Sequence, residues 1–386
     1  MKFSIGIVCF PSFGGSGVVA SELARGLAER GHDAHLLSTA RPGRITGDEP
    51  GLTFHEIRVP DYPLFEHAPY GLAVASKIVD VCRAHRLDLL QVHYAVPHVA
   101  SGLLAKQLLG VQAPLLVTSL HGTDVTRTGS DPSYRSITSA AIAASDGVTV
   151  PSAWLRDEAR ARLQLPGDLP IEVIANFVDS ERFAPPQVRD RARLQSLFPR
   201  AEEGPVLFHV SNFRPVKRTG DLIEVLALLR HHLPARLVLV GDGPDRPLVE
   251  ERAKALGLDG QIHFLGKQAS FVEWLRHADA FLLPSECESF GVAALEALAA
   301  GVPVFGYRVG GLPEVVPAEV GRLVEPFDAK ALANAVRAAL ETPGASERLG
   351  SAARTHVLER YRREPALDRY ERYFRELLLR RPPEKR

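Results

Sequence analysis

The chain has 386 residues, with 46 lysines and arginines against 46 aspartates and glutamates. This neutral balance gives no electrostatic reason to expect a nucleic-acid partner. Hydrophobic residues make up 45% of the chain and charged residues 24%, which excludes an intrinsically disordered protein. The length is enough for two or three domains with buried cores.

The apolar run at the start of the chain, Phe3–Phe10, is too short to cross a membrane and is followed directly by Pro11. We interpret it as a buried strand and not as a signal peptide, and we expect no membrane partner. The widely spaced Cys9, Cys82 and Cys287 match neither a disulfide framework nor a zinc site. This spacing indicates a reducing compartment and therefore a cytoplasmic location.

The first half of the chain alternates short apolar runs with helical patterns. Ser4–Phe10 predicts a strand, Val18–Arg30 a helix that Gly31 ends, and Ala34–Thr39 a second strand. Further strands are predicted at Leu89–His93, Leu115–Ser119 and Gly147–Val150. Strands separated by helices indicate βαβ units and a parallel sheet.

The same alternation begins again in the second half. Helical segments such as Asp221–His231 separate the predicted strands, which are Val206–Val210, Leu237–Val240, Ile262–Leu265, Ala280–Leu283 and Val304–Gly306. Residues 183–200, with Pro185, Pro186 and many charges, are typical of a join. We predict an α/β protein with two Rossmann-like, doubly wound domains, 1–180 and 181–364, that face a cleft. Residues 365–386 are predicted to form a helix and a polar tail, the helix packing back toward the first domain.

A glycine-rich loop, Gly14-Gly15-Ser16-Gly17, follows the first predicted strand and opens a helix. Glycines let backbone amides approach an anion, and a helix N-terminus adds a favourable dipole. The loop is therefore a candidate phosphate-binding site. A tight turn that binds nothing is the structural alternative.

The same loop also fits a dinucleotide-binding pattern, because Gly15, Gly17 and Ala20 satisfy G-x-G-x-x-A. No acidic residue follows the second strand to bind a ribose, but Arg41 or Arg44 would favour NADP. An NADP-dependent oxidoreductase therefore stays open.

Two glutamates frame the start of a predicted helix. Glu288 follows the strand Ala280–Leu283, and the helix is expected to begin near Gly291, to carry Glu296 and to end at Gly301. A helix N-terminus can stabilise a leaving diphosphate, and the two carboxylates can bind sugar and ribose hydroxyls. A charge in so apolar a helix needs a partner or a ligand. The alternative is two surface carboxylates beside an alanine-rich helix.

Cations for a diphosphate are expected from another loop. Arg214 and Lys217 follow the strand Val206–Val210, so both lie at the carboxyl edge of the second sheet.

At these residues the chain resembles glycosyltransferase family 4, which comprises retaining enzymes of the GT-B fold. Glu288 and Glu296 match the family's E-x7-E motif, and the segment 310–314 matches its G-G-x-x-E turn. The resemblance implies that Glu288 contacts the donor sugar, that Glu296 binds the ribose and that Lys217 binds the diphosphate. It implies further donor contacts at Gly14, Gly15, Asn212, Lys267, Phe290, Gly291 and Val292. The family's usual Gly-Arg is replaced here by Ser211-Asn212, so Arg214 is the candidate for the missing arginine's role.

Four segments resemble one branch of the family more closely, namely 14–20, 92–98, 120–126 and 211–218. Enzymes of that branch begin bacillithiol biosynthesis by moving N-acetylglucosamine from UDP onto the hydroxyl of L-malate. The resemblance therefore implies UDP-N-acetylglucosamine and L-malate as co-substrates. A lipid-linked sugar, a glycan or inositol phosphate stays open as the acceptor, and a sugar-binding module without turnover is the least favoured alternative.

A catalytic histidine is predicted at the end of the strand Leu115–Ser119. The resemblance implies that His121, which follows this strand, lies near the C6 hydroxyl of the donor sugar. A purely structural histidine is the alternative. No D-x-D motif is suitably placed, so we expect no metal cofactor. No residue is evident as an enzymic nucleophile, so we expect the departing phosphate itself to accept the proton of the acceptor. Candidate acceptor-binding residues follow strands of the first half, and these are Ser16, Tyr94, Thr118, Thr123 and Arg127. Tyr94 as a packed core residue is an equal alternative, and the sequence is compatible with a homo-oligomer.

Overall fold

The computed structural model describes residues 2–12, 14–61, 63–188, 190–198 and 203–380, with the side chain of Arg191 excepted. The described residues form two compact units. The first unit comprises the described parts of Met1–Asn176 and Glu364–Arg386, and the second comprises those of Phe177–Arg363. The predicted join at 183–200 thus falls inside the second unit.

The first unit contains a seven-stranded parallel sheet flanked by helices. Its strands are β1 (Ser4–Val8), β2 (Asp33–Ser38), β3 (Leu52–Glu56), β4 (Leu89–His93), β5 (Leu115–Ser119), β6 (Gly147–Val150) and β7 (Glu172–Val173). They lie in the order β3-β2-β1-β4-β5-β6-β7. The helices are α1 (Ser16–Glu29), α2 (Tyr70–His85), α3 (Ala100–Leu109), α4 (Thr123–Thr126), α5 (Pro132–Ala143) and α6 (Ala153–Leu163).

The second unit repeats this arrangement with six parallel strands in the order β10-β9-β8-β11-β12-β13. The strands are β8 (Val206–Val210), β9 (Arg236–Val240), β10 (Ile262–Gly266), β11 (Ala280–Leu283), β12 (Val304–Tyr307) and β13 (Gly321–Val324). The helices are α7 (Arg191–Gln195), α8 (Thr219–Arg230), α9 (Arg246–Ala255), α10 (Val272–Leu275), α11 (Val292–Ala299), α12 (Leu312–Val315), α13 (Ala329–Glu341) and α14 (Ala345–Arg360).

The last helix, α15 (Arg363–Arg380), belongs to the first unit from Glu364 onward and packs against α1. A Cβ atom at Gly26 would overlap or crowd the Leu367 side chain, so the glycine allows the two helices to approach closely. Arg30 adds hydrogen bonds to Asp368 at 2.7 Å and to Glu371 at 3.0 Å. No helix of the described chain is long and apolar enough to span a membrane.

The strands predicted from apolar runs are confirmed, and five of them have the predicted bounds: β4, β5, β6, β8 and β11. Both sheets are buried between helices, so their central strands are apolar over nearly their whole length and stand out in the sequence. The sequence patterns did not indicate β3, β7 and β13. These are outer strands of their sheets: β3 has only half-buried and exposed positions, β13 has an exposed residue between two buried ones, and β7 has only two residues.

Candidate active site

A buried histidine fixes the loop that follows β8. His209 Nδ1 lies 2.8 Å from the carbonyl oxygen of Leu282, and its Nε2 lies 2.8 Å from Ser211 Oγ. Burial lowers the pKa of His209 to about 4, so the ring is neutral at pH 7. Because a carbonyl can only accept, Nδ1 carries the hydrogen and Nε2 accepts from the Ser211 hydroxyl. Ser211 Oγ also accepts from the backbone N–H of Phe213 at 3.3 Å, which orients the turn that leads to Lys217.

Two glycines of the neighbouring loop pack against this turn. A Cβ atom at Gly241 would overlap the carbonyl oxygen of Ser211, and one at Gly243 would overlap that of Asn212. The segment Gly241-Asp242-Gly243-Pro244 therefore allows the loop after β9 to approach the loop after β8 closely. We infer a structural role for it.

The candidate cation and the candidate sugar-binding carboxylate are in direct contact. Lys217 Nζ donates to Glu288 Oε1 at 2.6 Å, and the buried Ser285 hydroxyl donates to the same oxygen at 2.8 Å. No hydrogen bond from the described residues reaches Glu288 Oε2. The Glu288 carboxylate is thus held by one oxygen, and the other can accept from a ligand hydroxyl.

The backbone of Glu288 is held by the predicted G-G-x-x-E turn. The N–H of Gly311 donates to the carbonyl oxygen of Glu288 at 2.8 Å. Gly310 has φ +56°, and a Cβ atom there would overlap that same carbonyl oxygen. A side chain at this position would therefore displace the Glu288 loop.

The N-terminus of the helix after this loop is compatible with anion binding. Helix α11 begins after Gly291, which has φ +94°, and its first turn has neither an acidic residue nor a side-chain cap. Phe290 is buried edge-on against Tyr361, with the ring centroids 5.7 Å apart, and this contact fixes the entry to the helix. Glu296 is buried one turn into the helix.

The remaining donor-binding candidates of this unit lie at its surface. Asn212 and Arg214 are exposed. Lys267 is also exposed, and its Nζ lies 4.0 Å from Asp242 Oδ2. The structure thus brings Lys217 and Glu288 together, whereas the Arg214 guanidinium has no hydrogen-bonding or ionic partner among the described residues.

The glycine loop of the first unit presents its backbone to solvent. Gly14 and Gly15 are exposed, and Gly15 has φ +56°, which favours glycine. Ser12 Oγ donates to the carbonyl oxygen of Gly14 at 2.7 Å and accepts from the N–H of Gly17 at 3.2 Å. Helix α1 then begins at Ser16 without an acidic residue in its first turn. These features are compatible with anion binding by the loop.

A buried carboxylate fixes the loop that carries His121. The Asp124 carboxylate accepts from the backbone N–H of His121 at 3.0 and 3.2 Å and from that of Gly122 at 2.7 Å. It also accepts from the N–H of Ala95 at 3.1 Å, so it joins the loops after β4 and β5. Burial raises the pKa of Asp124, and the hydrogen bonds from the backbone oppose that rise.

His121 is a neutral ring in this structure. Its Nε2 lies 2.9 Å from Nδ1 of the buried His93, and the two rings stack with centroids 5.1 Å apart. Burial lowers the pKa of His121 to about 3 and that of His93 well below its usual range. At pH 7, His121 can therefore exchange hydrogen bonds with a hydroxyl but does not carry a positive charge.

Among the acceptor-binding candidates, Tyr94 stacks on His121 with centroids 6.3 Å apart and has φ +87°. Thr123 begins α4 and is half-buried, and Arg127 is exposed just after that helix. The structure disagrees with Thr118. This residue is fully buried, and its hydroxyl lies 2.7 Å from Ser145 Oγ, so it points into the packed unit and not toward the ligand-binding edge.

Sequence reasoning missed five residues that hold these loops, namely Ser12, His93, Asp124, His209 and Ser285. For Asp124 a local signal existed, because an aspartate three residues after His121 can accept hydrogen bonds from the backbone of its own turn. His93 and His209 contact residues far away in sequence and give no local signal, whereas Ser285 lies only three residues before its partner Glu288.

Comparison with known proteins gives the chain's family. The model of "Glycosyltransferase Family 4" matches residues 13–182, and that of "Glycosyl transferases group 1" matches residues 190–356. The N-acetyl-alpha-D-glucosaminyl L-malate synthase of Bacillus anthracis is 40% identical over 379 residues, which cover 98% of each chain. The D-inositol 3-phosphate glycosyltransferase of Xylanimonas cellulosilytica is 30% identical, covering 88% of this chain and 87% of that protein.

A solved structure shows the same fold. Anabaena HepE in complex with UDP and glucose has a TM-score of 0.82 at 20% identity, covering 97% of this chain and 100% of that one. The protein is thus a glycosyltransferase of the GT-B fold. Within that class, the chain belongs to glycosyltransferase family 4. This membership removes the oxidoreductase alternative for the glycine loop.

Proposed function

We propose that this enzyme transfers N-acetylglucosamine from UDP-N-acetylglucosamine to the hydroxyl of L-malate, with retention of the α configuration. The observation that carries the proposal is 40% identity over 98% of both chains with an N-acetyl-alpha-D-glucosaminyl L-malate synthase. In the proposed pathway this reaction is the first step of bacillithiol biosynthesis.

In the second unit, we assign donor binding to the residues around Glu288. Its free Oε2 accepts from hydroxyls of the sugar, while Lys217 keeps two further hydrogens for the diphosphate beyond the one given to Glu288. Glu296 accepts from the ribose, and the first amides of α11 face the developing charge. These donors make charge neutralisation feasible without a metal ion.

In the first unit, we assign acceptor binding to groups near His121. Malate is a dianion with one hydroxyl, so its site needs a cation and hydrogen-bond donors. Arg127 supplies the cation, and Ser16, Tyr94 and Thr123 supply hydroxyls. Thr118 leaves this set because its hydroxyl is buried.

The neutral state of His121 limits its role in the reaction. A ring whose pKa is about 3 does not act as a general acid at pH 7, so we assign it to binding a hydroxyl of the donor sugar. The bond between the anomeric carbon and the phosphate oxygen breaks on the face that the malate hydroxyl attacks. The departing phosphate oxygen accepts the proton of that hydroxyl.

The proposal is tested by UDP release from UDP-N-acetylglucosamine, measured without acceptor, with L-malate and with D-inositol 3-phosphate. We expect release that depends on L-malate. Release only with the inositol phosphate would keep the glycosyltransferase and replace its acceptor. Binding of UDP without release in any arm would remove the malate assignment.

A variant of His121 tests the role assigned to this residue. We expect His121→Ala to lower kcat by about 10²-fold, because one hydrogen bond made in the transition state is lost, while the Kd for UDP changes little. The exposed His67 of the same unit provides the control variant His67→Ala. Equal loss of turnover and UDP binding in His121→Ala would contradict the assigned role.

A further inference from the structure

Three histidines converge on one face of the first unit's sheet. They are His35 on β2, His55 on β3 and His85 at the end of α2, and one ring nitrogen of each lies within 4.8 Å of the other two. His35 is buried, His55 is half-buried and His85 is exposed. The ring centroids of His35 and His85 are 4.3 Å apart, and those of His35 and His55 are 5.2 Å apart.

The register of two edge strands creates this cluster. Strands β2 and β3 pair so that His35 lies opposite Thr53 and His55 lies opposite Leu37. The two histidines are therefore diagonal neighbours on the same face of the sheet. Helix α2 covers that face, and His85 is its last residue.

An aspartate orients the first of these rings. His35 Nε2 lies 3.1 Å from Asp33 Oδ2, so this nitrogen carries the hydrogen and donates it to the carboxylate. The Ser4 hydroxyl donates to the same oxygen at 3.0 Å and helps to fix it. The lone pair on His35 Nδ1 then points at His55 Nε2, 3.0 Å away.

We propose that His35, His55 and His85 bind a divalent transition-metal ion such as Zn²⁺. Imidazole nitrogens are the preferred ligands of Zn²⁺, Ni²⁺ and Cu²⁺. In a tetrahedral zinc site the metal–nitrogen distance is about 2.0–2.1 Å, which separates two ligand nitrogens by about 3.4 Å. The 3.0 Å between His35 Nδ1 and His55 Nε2 is close to that spacing, and the exposed His85 can adjust its side chain.

Binding of the metal ion to His35 and His55 requires a change of tautomer and no release of a proton. The hydrogen that His55 Nε2 now shares with His35 Nδ1 moves to His55 Nδ1, and the metal ion takes its place between the two nitrogens. Asp33 keeps the hydrogen bond from His35 Nε2, which is the carboxylate–histidine–metal arrangement found around many zinc sites. Solvent completes the fourth position.

The position of the cluster indicates a structural role for this metal ion. His35 and His55 lie within β2 and β3 at one edge of the sheet. His121 follows the carboxyl end of β5, which β1 and β4 separate from β2. The metal ion would tie the edge strand β3 to β2 and α2, and it would not touch the transferred sugar.

The test uses full-length protein without a polyhistidine tag, freed of metals by dialysis against a chelator. Zn²⁺ alone is titrated by calorimetry, and Co²⁺ alone by the visible absorption of tetrahedral cobalt. We expect one equivalent of metal with a Kd in the micromolar range or below. We expect His55→Gln and His85→Gln to weaken binding at least tenfold, and Zn²⁺ to raise the Tm of the parent protein but not of either variant.

The exposed His67, outside the cluster, provides the control His67→Gln, which should bind metal as the parent does. His85 is exposed, so His85→Gln tests the site without loss of a core residue. The proposal is overturned if the parent binds less than a tenth of an equivalent. It is also overturned if both cluster variants bind as tightly as the control.

Discussion

Asp124 and Glu288 both follow the carboxyl end of a strand, one in each unit, yet their surroundings differ. Asp124 is fully buried, and both of its oxygens accept from backbone N–H groups of two loops. Glu288 receives the Lys217 ammonium and the Ser285 hydroxyl on one oxygen only. Asp124 therefore joins two loops, whereas Glu288 keeps one oxygen without a hydrogen bond from the described residues. We expect the first carboxylate to stabilise the fold and the second to bind a ligand.

The largest effect is expected from removing the Asp124 carboxylate. Asp124→Ala leaves three N–H donors without an acceptor, and the two buried ones, of Ala95 and Gly122, cost about 1–3 kcal/mol each. We expect the free energy of unfolding, measured in urea, to fall by about 3 kcal/mol or more. Asp131→Ala removes an exposed helix cap and should cost about 1 kcal/mol. Equal losses in the two variants would show that Asp124 does not hold the loops.

The next effect should fall on turnover instead of stability. We expect Lys217→Ala to lower kcat by about 10²–10³-fold, because a cation at the leaving diphosphate is lost. Glu288→Gln should also lower kcat, because an amide replaces the carboxylate that we assign to the donor sugar. The exposed Lys254 provides the control Lys254→Ala. A kcat for Lys217→Ala within threefold of that control would exclude the assigned role.

The smallest effect, taken over a single pH unit, is a pH dependence that both units share. Burial lowers the pKa of His98 in the first unit and of His209 in the second to about 4. The unfolded rings take up a proton below about pH 6.5 and the folded rings do not, so stability falls as the pH drops from 6.5 to 4. Each ring should contribute up to about 1.4 kcal/mol per pH unit in that window.

The two tryptophans allow this dependence to be measured in each unit separately. Trp154 lies in the first unit and Trp274 in the second, so single-tryptophan variants follow urea unfolding of one unit at a time. His98→Gln should flatten the pH slope reported by Trp154 and leave that of Trp274 unchanged. His209→Gln should do the reverse. Unchanged slopes in both variants would exclude burial of neutral rings as the cause.

The fold was largely predictable because the sequence patterns that mark its strands and helices are local. Apolar strands such as β9 and β11 are fully buried between helices, so a run of apolar residues marks them. The outer strand β3 escaped prediction because it has polar residues at alternating positions. Of the site, the sequence indicated Glu288, Glu296, Lys217 and His121, because motif spacing and position after a strand are also local.

Other features depend on which segments the fold brings together. Lys217 and Glu288 are 71 residues apart, and their contact follows from the adjacency of β8 and β11 in the sheet. Thr118 was a reasonable candidate by position, but strand alternation turns its side chain toward Ser145. The three clustered histidines lie on three different elements, and their spacing in the sequence matches no metal-binding motif.

The sequence by itself determined the two α/β halves, most of their strands and the residues that we propose to bind a nucleotide sugar. Local hydrophobic periodicity and turn chemistry are sufficient for these features. Only the tertiary structure decided that Glu288 keeps one oxygen without a hydrogen bond from the described residues, that the rings of His121 and His209 are neutral, and that His35, His55 and His85 meet. Burial and strand register set these properties, and both arise from contacts between residues distant in the chain.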